Sequence, residues 1–306
     1  MEDDSPRRAT RRDATGASLV ERAAREIERR TAYDPLDRPG QHVETDRTHR
    51  AAEDTAAAHS QTARHSPVVK IDRAKLKAFG GLTPDNLTSQ LAEEMRLVKR
   101  SLIQRMQRRE RPHGNLVQIT SAWPGEGKSF LALNLALSLA SEMDYNVMLI
   151  DADVHRPVIM EALGIQAETG LLDVLRDPQM DVGAAIVRTD MARLSVIGPG
   201  QGDQLSTERL SSQRMAAVTK ELAERYKDRI IIFDTSPLLA TSEPSVIAQM
   251  MGQVVIVVEA DRTNREAIDQ ALELLPEDCQ AGIVLNKSKG LVGGSALPYY
   301  GYKGAS

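Results

Sequence analysis

Cysteine, aromatic residues and long apolar runs are all scarce in this chain of 306 residues. Its single cysteine, Cys279, excludes an internal disulfide framework and fits a reducing compartment. No apolar run approaches the roughly 20 residues that a membrane-spanning helix needs. No apolar core follows the charged amino terminus, as it would in a signal peptide. These absences predict a cytoplasmic protein, for which any membrane contact would come through a partner.

A surplus of basic charge is missing too. Acidic residues (43) outnumber lysines and arginines (39), which gives a net charge of −4. The surface as a whole is therefore not suited to nucleic acid, and no nucleic-acid partner is predicted. The length admits one α/β domain with extensions.

Changes in composition divide the chain into four regions. Residues 1–65 hold few large apolar side chains and are predicted to be largely disordered, with a short amphipathic helix near residues 18–30. Residues 66–112 are predicted to form a linker and a basic amphipathic helix, because apolar residues recur there every three to four positions. Residues 113–290 form the main domain, and residues 291–306 a flexible tail that contains tyrosines.

The main domain alternates apolar runs with helical segments. Each run is continuous, which is typical of a strand buried on both faces. We therefore predict an α/β fold in which a mostly parallel sheet carries helices on both faces. Functional sites of that architecture lie at the carboxyl ends of the strands. The predicted strands are 116–120, 146–150, 230–233, 254–258 and 282–285.

Residues 122–129 read Ala-Trp-Pro-Gly-Glu-Gly-Lys-Ser and follow the first of these strands. They match the phosphate-loop (P-loop) pattern G-x-x-x-x-G-K-[ST], with Ala122 in place of the first glycine. Two glycines allow main-chain amides to turn toward phosphate oxygens, Lys128 places a charge near the β- and γ-phosphates, and Ser129 can bind Mg²⁺. The motif predicts ATP binding by Gly125, Glu126, Gly127, Lys128, Ser129 and Phe130.

Acidic residues follow two of the predicted strands. Asp151 and Asp153 come after one strand, and Asp234 ends another. Carboxylates beside a phosphate loop can hold Mg²⁺ directly or through water. These three residues and Ser129 are the predicted metal ligands.

Five further polar residues keep two interpretations each. Arg156 either contacts phosphate or pairs with an acid, and Asn286 either reads the adenine edge or is a plain turn residue. Tyr299, Tyr300 and Tyr302 lie among glycines in the last eight residues. They either pack on the domain surface or are exposed substrates for phosphoryl transfer.

Together, the segments SAWPGEGKS, VMLIDADVHRP and IIIFDTSPLL and the tyrosine cluster resemble the bacterial tyrosine autokinases of polysaccharide biosynthesis, and more narrowly the exosortase-associated type. The resemblance covers about residues 85–302. It implies a partitioning-ATPase-like fold and catalytic roles for Lys128, Asp151, Asp153 and Asp234, with the tail tyrosines phosphorylated by neighbouring copies.

The resemblance also implies partners. Self-association into a ring would use the motif E-x-x-R-x-x-R, which here reads Glu93, Arg96 and Lys99, with lysine in place of a bidentate arginine. A membrane polysaccharide chain-length regulator would supply an activating cytoplasmic segment. Many relatives have proline where Ser236 stands, and we expect little effect on Asp234.

A second function fits the same motifs. The chain could be a nucleotide-dependent assembly switch that docks on a membrane polysaccharide complex and has little kinase activity. The tyrosine tail favours the kinase. Two other classes of the same fold fit the sequence less well. Partitioning ATPases carry a lysine where Trp123 stands, so this tryptophan argues against that class. Iron–sulfur scaffold ATPases usually add a paired-cysteine metal site, which a single cysteine excludes within one chain.

Overall fold

The computed structural model describes residues 67–108, 113–142 and 144–288. The predictions of a disordered extension over residues 1–65, a helix near residues 18–30 and a flexible tail over residues 291–306 concern residues outside this described part. The same holds for the three tail tyrosines.

The described residues form one sheet of eight strands. Their bounds are β1 Val68–Val69, β2 Leu116–Ser121, β3 Asn146–Asp151, β4 Val187–Thr189, β5 Leu194–Ile197, β6 Arg229–Asp234, β7 Gln253–Glu259 and β8 Ala281–Asn286. The order across the sheet is β1-β4-β5-β3-β6-β2-β7-β8. Neighbours pair in parallel, apart from β4 with β5. The predicted mostly parallel sheet is confirmed.

Nine α-helices connect these strands within the described residues. They are α1 Arg73–Phe79, α2 Gln90–Arg108, α3 Lys128–Ala140, α4 Ile159–Leu163, α5 Leu171–Arg176, α6 Ser206–Leu210, α7 Gln213–Arg225, α8 Glu243–Ala248 and α9 Arg265–Glu273. Helix α1 begins where the Asp72 side chain accepts hydrogen bonds from two main-chain amides and ends at Gly80, whose φ is +85°. Throughout the part of the chain that is described, no helix is long and apolar enough to cross a membrane.

The continuous apolar strands separate two cores. In β6, Ile231 and Phe233 pack into the core on one face of the sheet, whereas Ile230 and Ile232 pack into the core on the other. Side chains of a strand alternate between faces, so a strand covered on both sides needs an apolar residue at every position. This is why the sequence shows runs here and not alternation.

Register brings the acidic strand ends together. Asp151 is the direct neighbour of Asp234 in the pairing of β3 with β6, and Asp234 in turn lies opposite Ile119 of β2. Strand β2 leads into the phosphate loop, and α3 begins at its end. The loop and the acids therefore share one edge of the sheet.

Candidate active site

Two glycines shape the phosphate loop. Gly125 and Gly127 have φ values of +88° and +98°, which side-chain-bearing residues rarely adopt. A Cβ atom on Gly127 would lie 2.1 Å from Asn286 Nδ2. Position 127 therefore excludes larger residues both by conformation and by space.

Lys128 is the first residue of α3 and is only 9% exposed. Its ammonium lies 2.5 Å from Asp153 Oδ2, 3.1 Å from Ser129 Oγ and 3.9 Å from Asp234 Oδ1. Burial disfavours the charge, but Asp234 and Asp153 outweigh this effect and raise the pKa of Lys128. The lysine stays protonated and able to stabilise anionic phosphate.

Asp153 is held by donors at both of its oxygens. Oδ2 faces Lys128, and Oδ1 accepts from the Ser236 hydroxyl at 2.9 Å and from the Arg156 main-chain N–H at 3.2 Å. Burial acts to raise the pKa of Asp153, but Lys128 and these hydrogen bonds outweigh it and lower the pKa. Asp153 is therefore a fixed carboxylate anion.

Asp151 and Asp234 differ from Asp153 because they keep oxygens without donors. Asp151 Oδ2 accepts from the Ile159 N–H at 3.1 Å, whereas Asp151 Oδ1 and both Asp234 oxygens are buried without a hydrogen-bond partner. Burial, followed by the charge of Asp234, raises the pKa of Asp151 well above its usual range. Burial also raises the pKa of Asp234 to about 6, against the effect of Lys128.

These unpartnered oxygens fit a divalent cation. No three His, Cys, Asp or Glu side chains form a metal cage in the described ranges. Mg²⁺ does not need one, because it usually binds one or two carboxylates together with phosphates and water. The hard oxygen atoms that could bind Mg²⁺ beside the phosphate loop are Asp151 Oδ1, those of Asp234 and the Ser129 hydroxyl, and their role as ligands stays a prediction.

A protein-family model described as ParA, "NUBPL iron-transfer P-loop NTPase", matches residues 113–192. The match includes the phosphate loop and the segment that carries Asp151 and Asp153. It confirms the predicted P-loop NTPase fold, which implies nucleotide binding.

Named relatives narrow the family. The chain is 33% identical over 190 residues to the tyrosine-protein kinase YwqD of Bacillus subtilis (strain 168), and the alignment covers 61% of this chain and 78% of the relative. This chain belongs to the bacterial tyrosine-protein kinase family. The kinase is also 31% identical over 172 residues to the tyrosine-protein kinase ptk of Acinetobacter johnsonii, but it spans only 22% of that protein.

A solved structure agrees with the assignment. The kinase domain of VpsO superposes with a TM-score of 0.51 at 30% identity, over 56% of this kinase and 83% of that chain. The family predicted from the motifs is thereby confirmed. None of these relatives is described as exosortase-associated, so that narrower type stays a prediction.

The remaining predicted site residues lie around the loop of the kinase. The centroids of the Phe130 and Phe79 rings are 6.4 Å apart, so the Phe130 side chain faces α1. Arg156 is exposed, and its main-chain N–H donates to Asp153. Asn286 Nδ2 donates to the Glu126 carbonyl at 2.8 Å, which places Asn286 against the phosphate loop. Their contacts with nucleotide stay predictions.

The Glu126 side chain braces the loop from within. Its carboxylate accepts from the Trp123 N–H at 2.7 Å and from the Thr263 hydroxyl. The motif pattern leaves this position open, so the sequence carried no signal for the brace. Its counterpart Thr263 belongs to the turn after β7, 137 residues along the chain.

Two other contacts near the site were not predicted. The Ser236 hydroxyl donates to Asp153 and orients it. From the sequence, Ser236 had been considered only for its effect on Asp234. His155 Nε2 lies 2.8 Å from Glu243 Oε1, and Glu243 is only 1% exposed. In the sequence, the segment Thr-Ser-Glu-Pro looks like an ordinary helix start with an exposed glutamate. It therefore gave no signal that Glu243 is buried and contacts His155.

The proposed subunit-contact motif is split between two environments. Arg96 pairs with Glu93 on the exposed side of α2 at 2.6 Å. Lys99 is 5% exposed and pairs with Glu142 of the same chain, beyond the end of α3. The side chain of Lys99 is therefore engaged within its own subunit.

Proposed function

We propose that this kinase transfers the γ-phosphoryl group of ATP to tail tyrosines of a neighbouring copy, the acceptors being Tyr299, Tyr300 and Tyr302. One observation carries the proposal: the Lys128 ammonium is buried between the phosphate loop and two strand-end carboxylates. Positive charge fixed in a water-poor site stabilises a transferring phosphoryl group. The tyrosine-protein kinase relatives support tyrosine as the acceptor.

The three carboxylates take separate roles in this proposal. Asp153 fixes Lys128, because both of its oxygens already accept hydrogen bonds or face the ammonium. Asp151 Oδ1 has no donor, so it is the oxygen available to accept the proton of an incoming tyrosine hydroxyl. Asp234 and Ser129 would hold Mg²⁺. When bound, ATP and Mg²⁺ supply the phosphoryl group and a charge that offsets the acids.

The phosphate loop would hold the nucleotide through its main chain. The N–H groups around Gly125, Glu126 and Gly127 would surround phosphate oxygens, and the amino terminus of α3 would add its dipole. Arg156 would approach the phosphates from the exposed side, and Asn286 would contact adenine from beside the loop. The tyrosine oxygen forms its bond to phosphorus as the bond to ADP breaks.

The wider setting is proposed from the family resemblance. The kinase would act in the cytoplasm at the inner face of the membrane, where a polysaccharide chain-length regulator supplies an activating segment. Self-assembly would bring each tail to a neighbouring site. Phosphorylation would then regulate exopolysaccharide polymerisation or export.

A mixing experiment tests transfer between copies. A full-length Lys128→Ala protein is the acceptor, and an active protein that lacks residues 297–306 is the donor. We expect phosphotyrosine on the Lys128→Ala copy and none when its three tail tyrosines are changed to phenylalanine. A signal unaffected by the phenylalanine changes would contradict the tail assignment. If polymer export requires Lys128 but not the tail tyrosines, the result would favour the alternative function, a nucleotide-dependent assembly switch.

A further inference from the structure

The phosphate loop is held from outside by the residues at the end of β8. The ammonium of Lys287, which follows that strand, lies 2.7 Å from the Gly125 carbonyl oxygen and 3.0 Å from Glu259 Oε2. The preceding residue, Asn286, donates to the Glu126 carbonyl at 2.8 Å. Two consecutive loop carbonyls are therefore held by two consecutive residues of a different strand.

Peptide geometry extends these contacts to the loop amides. A trans peptide unit points its carbonyl and the following N–H in opposite directions. Since the Gly125 carbonyl faces Lys287, the Glu126 N–H faces away from Lys287. By the same reasoning, the Gly127 N–H faces away from Asn286. A phosphate loop binds its ligand by directing such N–H groups at phosphate oxygens, so the carbonyl contacts select the binding orientation.

The conformation of Lys287 supports a role of this kind. Its φ is +57°, in the left-handed region that residues other than glycine seldom adopt. Strained main-chain positions persist where surrounding contacts hold them, and they are frequent at functional sites. The two partners of the ammonium provide that hold.

Glu259 connects Lys287 to the rest of the loop. Its carboxylate is 16% exposed and faces the Lys287 ammonium, and its N–H donates to the Thr263 hydroxyl at 3.0 Å. Thr263 in turn donates to the carboxylate of Glu126. The ends of β7 and β8 thus hold the loop through both its main chain and its one acidic side chain.

We propose that Lys287 is a positioning residue for the nucleotide phosphates: it keeps the Gly125 carbonyl turned outward so that the Glu126 N–H points at the phosphate site. Lys287 does not itself need to touch the nucleotide. The inference rests on the proposed function only as far as nucleotide binding, and it does not require phosphoryl transfer.

The test compares nucleotide affinity in full-length variants by calorimetry. Lys287→Met keeps the apolar stem and removes the donor, and we expect Mg-ATP and Mg-ADP to bind about three- to tenfold more weakly. Lys287→Arg, which can donate to both partners, should recover most of the affinity. The matched control is Lys220→Met on α7, an exposed lysine whose partner Glu224 lies 3.9 Å away, and it should leave affinity unchanged.

Melting without nucleotide separates positioning from a general structural role. A structural residue would lower the melting temperature and leave affinity intact. Parental affinity for both nucleotides in Lys287→Met would overturn the proposal. If that variant does not fold, Glu259→Gln removes the charge that holds the ammonium and should weaken binding in the same direction. A parent that binds nucleotide but phosphorylates no tyrosine would contradict the proposed function and leave this inference standing.

Discussion

Charged residues are arranged differently at the carboxyl edge of the sheet and on helix α2. At the edge, Asp151 and Asp234 are fully buried, and three of their oxygens have no hydrogen-bond donor. On α2, Glu93 and Arg96 pair at the surface. Burying a charge without partners is costly, whereas a surface ion pair changes stability little. The first arrangement therefore indicates a site where a ligand offsets the cost, and the second has no such requirement.

Removing charge at the edge should have the largest effect. Asp151→Asn and Asp153→Asn keep the shape of the side chains, and each should lower autophosphorylation by about 100-fold or more. An amide in place of Asp151 cannot accept the tyrosine proton, and an amide in place of Asp153 no longer attracts the Lys128 ammonium. Initial rates of phosphotyrosine formation measure this. The control Glu224→Gln changes an exposed acid on α7 and should keep the parental rate. An active Asp151→Asn would contradict the assignment of the proton acceptor.

Removing the Asp234 charge should raise the stability of the protein, although charge at this edge of the sheet is needed for activity. The folded protein binds the Asp234 proton more tightly than the unfolded chain, so its ionisation between pH 3.8 and about 6 lowers the free energy of unfolding. Without nucleotide, Asp234→Asn should therefore be more stable than the parent by about 1–3 kcal/mol at pH 8. Denaturant titrations should show this gain shrinking toward pH 4. A destabilised variant at pH 8 would show that the charge is compensated.

Ser236 gives a smaller test of how the edge is organised. Ser236→Ala removes the hydroxyl that donates to Asp153, and the loss of one hydrogen bond should lower the rate of phosphorylation by about three- to tenfold. Ser236→Thr keeps a hydroxyl and should recover most of the rate. Nucleotide affinity measured alongside should change less than the rate. An unchanged rate in Ser236→Ala would show that Lys128 and the Arg156 N–H are sufficient to orient Asp153.

The smallest stability effects are expected on α2. Arg96→Ala should leave the melting temperature unchanged, because its ion pair is exposed, and should weaken self-association if the motif makes subunit contacts. Lys99→Met should leave self-association unchanged, because Lys99 contacts Glu142 of its own chain. Sedimentation of both variants measures the difference. If Lys99→Met loses assembly and Arg96→Ala does not, then Lys99, and not Arg96, makes the subunit contact.

Much of the fold could be predicted because burial on both faces makes strands into continuous apolar runs. The phosphate loop was predictable because its glycines and lysine have fixed spacing. The inward position of Lys99 also had a signal: it lies four residues after Met95 and three before Leu102, both buried on the same stripe of α2.

The contacts that organise the site had no comparable signal. Lys287 and Gly125 are 162 residues apart, and Ser236 and Asp153 are 83 apart. Such pairs meet only because the order of strands brings their ends together. Asp151 was predictable as an acid at a strand end, but which of its oxygens lacks a donor depends on the Ile159 N–H at the start of α4. Partners of this kind follow from three-dimensional packing.

Mass spectrometry of the carboxyl-terminal peptide shows whether the protein phosphorylates its tail tyrosines. The purified full-length protein is incubated with Mg-ATP, in parallel with Lys128→Ala and together with the cytoplasmic segment of a membrane activator. We predict phosphate on Tyr299, Tyr300 or Tyr302 in the parent and none in the variant. If the parent binds nucleotide yet carries no phosphate on these tyrosines even with the activator present, the tail tyrosines are not its acceptors.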